Sequence, residues 1–306
     1  MNRADRLLAC VVALLWGFNF IAIDFALRHF PPIFFAGLRF AVLLVPVLLL
    51  VPRPRVEWRW LLGYGLCFGT LQFVFLFIAM DVGMPTGLAS LVQQASAPFT
   101  VVLGALLLRE RIGGRQLVGI AIAVLGMAAI AWHRAQTAAL LPVLITLCGA
   151  LSWAFGNLCA RKAAAPNPLH LSLWIAVVPP LPMFALSAAI EGPSTGWHAL
   201  ATAFTSVDGL AALGGLAYTA GIATVVGAGL WTVLMNRHPA SSVAPFALLV
   251  PVVGFAAAWL VLGERPHPVE LTAGAVVVLG VLFGSLRRRP PELRSTGPRE
   301  PVAAEP

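Results

Sequence analysis

Two charged side chains, Asp24 and Arg39, stand inside long apolar runs of this sequence. A charge at the centre of a bilayer costs about 2.5–3.5 kcal/mol on insertion scales, so such residues are functional by default. Arg39 could bind a substrate carboxylate, and Asp24 an amine or a proton. The alternative is an Asp24–Arg39 ion pair that closes the outer side, since the turn from Arg28 to Pro32 is short. Arg39 also lies only about seven residues into its run, within reach of the interface by snorkelling.

Neutral polar residues extend this set. Trp16 and Asn19 share a helical face, and Trp153 and Asn157 repeat them later in the chain. A lone membrane asparagine is often interhelical glue, whereas two matched ones suit a central site. Pro98 and Pro251 lie deep in apolar runs. An interior proline frees the carbonyl four residues earlier, which for Pro98 is that of Gln94. In lipid that carbonyl must find a partner, either a neighbouring helix or a substrate cavity. Gln94 lies on a stripe of small residues with Gly87 and Ser90, and its counterpart is apolar, Leu248. Gln72, Tyr218, Thr224 and Trp231 complete the substrate-binding and translocation candidates.

These residues must be positioned by membrane helices. Of 306 residues, 59% are hydrophobic and only 10% charged, against about 25% charged in soluble domains. Runs free of Lys, Arg, Asp and Glu cover 7–23, 60–80, 82–108, 116–133, 135–160, 163–190, 209–236, 238–263 and 271–286. A tenth, 32–51, is broken only by Arg39. A bilayer crossing takes about 20 residues, so ten transmembrane helices are expected in an all-α integral membrane protein. The uncharged stretch 192–207 is rich in Gly, Pro, Ser and Thr and reads as a loop. With the N-terminus inside, sixteen basic residues fall on the inner side and three, Arg28, Arg134 and Arg265, outside. That bias predicts both termini in the cytoplasm.

The net charge of +8 therefore reads as topology, and no nucleic-acid partner is expected. Lys162, the single lysine, precedes Ala163, so no phosphate-cradling G-x-x-x-x-G-K-[ST] loop is present. The four cysteines sit singly in apolar runs and read as packing residues. Neither a metal site nor a cofactor is expected. An intramembrane enzyme would need H-E-x-x-H, paired aspartates or G-x-S-x-G, and the sequence has none of them.

An internal duplication sets the architecture. An offset of 154 residues places Glu110 on Glu264, Pro85 on Pro239, Arg111 on Arg265 and Gly126 on Gly280. Glu110 and Glu264 read as structural end caps. Five helices per half is odd, so the second half inserts upside down. The expected units are residues 1–134, residues 135–286 inverted, and a disordered cytoplasmic tail over 287–306. Inverted repeats are the signature of secondary transporters. Gly280 and Gly284 could pair two copies of the chain in a homodimer, or pack internally.

Trp16-Gly17-Phe18-Asn19, Gly37-Leu38-Arg39-Phe40 and the two Glu-Arg span ends resemble the EamA family of the drug/metabolite transporter superfamily. The longer runs Ala36 to Phe40, Leu62-Gly63-Tyr64-Gly65, Gly87 to Val92 with Gln94, and Leu248 to Gly254 are similar to its exporters of O-acetylserine and cysteine. The resemblance implies an inner-membrane exporter of small amino acids and metabolites. It also implies alternating access drawing on the proton gradient, around a site between the halves. Other cargo within the superfamily stays open: a drug, an uptake metabolite or a lipid precursor. Asp24 departs from the resemblance, which leads one to expect a basic residue there.

Overall fold

The computed structural model describes residues 1–109, 112–137, 140–238 and 240–285. The expected tail over 287–306 and Glu110 lie outside the described residues. Among the described residues, nine helices have the length and hydropathy to cross a membrane: Arg3–Leu27, Pro32–Leu50, Trp58–Asp81, Thr86–Leu108, Gly114–Gln136, Leu141–Ala163, Pro168–Ile190, Val207–Arg237 and Pro245–Leu262. A shorter apolar helix, Pro268–Gly284, is the tenth. No strand occurs among the described residues. The expectation of an all-α membrane protein holds. The stretch read as a loop is corrected: it contains a two-turn helix, Thr195–Thr202. That helix is too short for hydropathy to reveal. It forms because Trp197 packs edge-on against Phe34 and tilted against Phe184.

Several crossings leave regular α geometry, and two kinds of departure recur at matched places in the halves. The third span opens into a π segment at Gly65–Leu71 and the eighth at Tyr218–Gly227. The 154-residue offset carries 65–71 onto 219–225, inside the second segment. In both, a threonine hydroxyl donates to the carbonyl five residues back: Thr70 to Gly65 at 3.2 Å, and Thr224 to Thr219 at 2.7 Å. The fourth span tightens to a 3-10 turn at Gln93–Ala95, before Pro98, and the ninth at Ala244–Leu248, before Pro251. Proline cannot supply the amide that an α turn needs there, and a local 3-10 or π adjustment re-satisfies the backbone.

The halves interlock rather than stand side by side. The first span packs on the eighth and ninth, and the sixth on the third and fourth. The second packs on the seventh and the fifth on the tenth. Glycines allow the close approach of the last pair. A Cβ at Gly119 would lie 2.6 Å from both the Gly280 carbonyl and the Gly284 Cα. Gly280 and Gly284 are thus used for packing within one copy, not left as a face for a homodimer.

Candidate functional site

Arg39 lies in the second span, 5% exposed. Its guanidinium stacks 4.0 Å from the Phe73 ring centroid of the third span. Nη2 donates to Thr224 Oγ1 of the eighth span at 2.8 Å. The Thr224 hydroxyl donates its hydrogen bond to the Thr219 carbonyl through the π turn, so its oxygen is free to accept. Nε and Nη1 have no hydrogen-bond partner among the described residues.

The expected Asp24–Arg39 pair is not formed. Asp24 instead takes Arg28, one helical turn further on, with contacts of 2.7 and 3.1 Å. Arg28 reaches it along the same helix and at the exposed span end, where neither charge must lose its water. The snorkelling alternative for Arg39 is also corrected, because the side chain is enclosed. A buried ion costs several kcal/mol unless paired and fully hydrogen-bonded, and a desolvated cation–π contact returns about 2 kcal/mol. The Arg39 cation therefore retains a demand for an anion. Asp5, Asp24, Glu191, Glu264 and Glu270 each bind elsewhere, and Asp81 and Asp208 are exposed.

Aromatic rings adjoin each of the two contacts that hold Arg39, Thr224 and Phe73. On one, Trp16 lies 5.2 Å from Trp231, and its indole donates to the Ala223 carbonyl at 3.0 Å, beside Thr224. Tyr218 donates to the Leu15 carbonyl at 3.0 Å. On the other, Trp153 meets Phe68 edge-on at 5.4 Å, Phe68 meets Phe73 at 6.0 Å, and Phe73 underlies Arg39. The two walls are repeat-related: each matched tryptophan packs on the π segment of the opposite half.

The remaining candidates lie off this chain of contacts. Asn157 donates to Thr100 at 3.1 Å, and Gln94 donates to the Ala247 carbonyl, at the 3-10 turn of the ninth span, at 3.3 Å. Pro98 and Pro251 are buried behind their turns. Asn19 Oδ1 and Gln72 Oε1 are buried acceptors with no partner among the described residues. Gln93 was not singled out from sequence, yet it is 3% exposed with both amide atoms unpartnered. Nothing in the duplication flags it, since its counterpart is Ala247.

Carboxylates of the second half tie the first at the face opposite the N-terminus. Glu191 accepts the amides of Ile33 at 2.6 Å and Phe34 at 2.9 Å. Glu264 accepts those of Thr86 at 2.8 Å and Gly87 at 3.1 Å. Each caps the start of a helix from the other half, where orphan amides and the helix dipole favour a negative charge. At the N-terminal face, Asp5 lies 2.7 Å from His238 Nε2 and 3.5 Å from Arg237.

Known proteins resemble the chain over most of its length. The chain matches the EamA-like transporter family over residues 6–132 and 140–286. It is 41% identical, over 92% of its length and 94% of the relative's, to a probable amino-acid metabolite efflux pump of Escherichia coli. Identity is 42% to the Salmonella typhimurium protein of the same description, over 92% and 95% of the two chains. A probable terminal-alkyne amino-acid exporter of Streptantibioticus cattleyicolor is 31% identical over 66% of this chain and 65% of its own. A solved crystal structure shares the fold at a TM-score of 0.59 and 20% identity, covering 97% of this chain and all of its own. This multi-pass membrane protein is a transporter, not an enzyme, and it belongs to the EamA-like transporter family.

Proposed function

We propose that the chain exports small amino-acid metabolites, with cysteine and O-acetylserine the leading candidates, across the bacterial inner membrane. The observation that carries the reading is Arg39, a buried guanidinium with two nitrogens left without protein partners. A substrate carboxylate supplies the missing anion, and charge-assisted hydrogen bonds to a guanidinium are the stronger class. The aromatic walls suit a small apolar or thiol-bearing side chain. Asn19, Gln72 and Gln94 are the amide candidates for the rest of the molecule, and relatives described as amino-acid metabolite pumps support the cargo class.

Residues 1–134 and 135–286 act as the two rocking repeats, with both termini in the cytoplasm. Opening to the outside requires release of the Glu191 and Glu264 caps, and opening inward requires release of the Asp5 ties. The proton gradient drives the cycle. A terminal-alkyne amino acid is a second cargo, favoured by the exporter relative and by the apolar walls.

Uptake of labelled cysteine and O-acetylserine into inverted vesicles tests this reading. Accumulation that rises with an inward-acidic gradient and falls in Arg39→Ala is expected. Accumulation unchanged when the gradient collapses overturns proton coupling. No accumulation of either compound overturns the cargo assignment.

A further inference from the structure

A second feature lies outside the polar interior. An apolar crevice of about 730 Å³ is cut between the fourth, ninth and tenth spans. Leu91, Pro251, Phe255 and Val278 line it, and Trp259 and Leu279 stand exposed along it on the lateral surface. One end carries Arg265, just past the end of the ninth span. From there to Pro251 is about 14 residues, or about 20 Å of helix, well over half of a hydrocarbon core about 30 Å thick.

Its lining decides the chemistry. A zwitterionic amino acid finds no polar partner along the walls. Arg265 is exposed and makes no ion pair among the described residues. Its neighbour Glu264 forms no ion pair with it; both Glu264 oxygens are turned to the Thr86 and Gly87 amides. The site thus presents an apolar slot about a leaflet deep with an unpaired cation at the headgroup level. We infer that it binds a phospholipid, one acyl chain in the slot and an anionic headgroup on Arg265.

The position gives the lipid a mechanical consequence. Phe255 of the slot lies against Gly87, where an added Cβ would come within 2.7 Å of its ring, and Glu264 caps the same turn. A seated acyl chain therefore braces the contact between the fourth and ninth spans.

Trp259 lines the slot and reports on it. The full chain is placed in nanodiscs containing phosphatidylglycerol or phosphatidylcholine brominated on the acyl chains. The quenching assigned to Trp259 is the difference between wild type and Trp259→Phe. Half-quenching is expected at about fivefold lower mole fraction of phosphatidylglycerol, as one basic residue at an anionic surface implies. Arg265→Gln removes that preference, and Ala275→Leu, which narrows the slot, weakens quenching by both lipids. Equal half-quenching by the two lipids in wild type, or a preference that survives Arg265→Gln, reduces the slot to ordinary boundary lipid and overturns the inference. Relief of quenching by soluble glycerol phosphate would identify a phosphate-ion site and also overturn it.

Discussion

Arg39 of the first half donates to Thr224 of the second across 2.8 Å, so the buried cation rests on the π turn of the opposite repeat. The π register lets the Thr224 hydroxyl donate to the Thr219 carbonyl and turn its oxygen to the guanidinium. The proposed rocking of the halves would change this contact. It joins the proposed substrate group directly to the element that breaks the eighth span.

Arg39→Ala should lower transport in inverted vesicles about a hundredfold, the scale of losing charged hydrogen bonds worth about 1.5–3 kcal/mol. Arg39→Lys should recover only part of it, because an ammonium cannot present the planar fork. Arg39→Met should fold at least as well as wild type, since replacing a buried charge by an apolar group is often neutral or stabilising. Thermal unfolding of the purified protein checks the last point. A marked fall in Tm for the methionine variant would make Arg39 a structural residue.

Thr224→Val keeps the shape of the side chain and deletes the bridging hydroxyl. It should weaken transport about tenfold, the scale of one hydrogen bond to a charged group. Thr70→Val, at the repeat-related position with no arginine on it, should stay within about twofold. Initial rates measured side by side decide between a substrate-linked role and a role confined to the π turn.

Glu264→Gln and Glu191→Gln keep the caps' shape and remove their charge. Each cap is worth about 1 kcal/mol, so either change should shift the balance towards opening at that face about fivefold. The double variant should shift it about 25-fold. Labelling of a cysteine introduced at Gly17 with a membrane-impermeant thiol reagent is not suitable, because Gly17 is packed against Val253. Labelling at Met84, buried beside the capped turn, is. Unchanged labelling would mean that the caps only stabilise the fold.

Asp24→Asn should leave transport within about twofold. Its partner Arg28 is half exposed, and such surface pairs contribute about 0–1 kcal/mol. A loss of tenfold or more would return Asp24 to the candidate site.

Gly126→Leu should lower Tm by several degrees without altering substrate preference. A Cβ there would lie 2.6 Å from Val277 and 2.9 Å from the Ala273 carbonyl, and overpacking of this kind costs about 1–3 kcal/mol. Competition by unlabelled amino acids in the surviving protein checks the second half of that statement.

Ten crossings and the duplication are written along the chain, because hydropathy and charge act on each segment by itself in the bilayer. The matched Glu-Arg span ends and the Trp16 and Trp153 motifs carry the repeat openly. Arg39 and Thr224 are each visible as unusual residues, since a polar group in lipid always needs a reason.

Their pairing is not visible. Asp24 and Arg39 are neighbours through a short turn, and the sequence favours that match. The fold gives Asp24 to Arg28 and Arg39 to a residue 185 positions away. Gln93 and the Glu191 cap are hidden for the same reason: burial and capping depend on which helix of the other half lies opposite. Segment-local energies thus determined the spans, their proline breaks and their symmetry. The partners of the polar groups were decided only when the interlocked halves set which backbone and side-chain atoms came within hydrogen-bond reach.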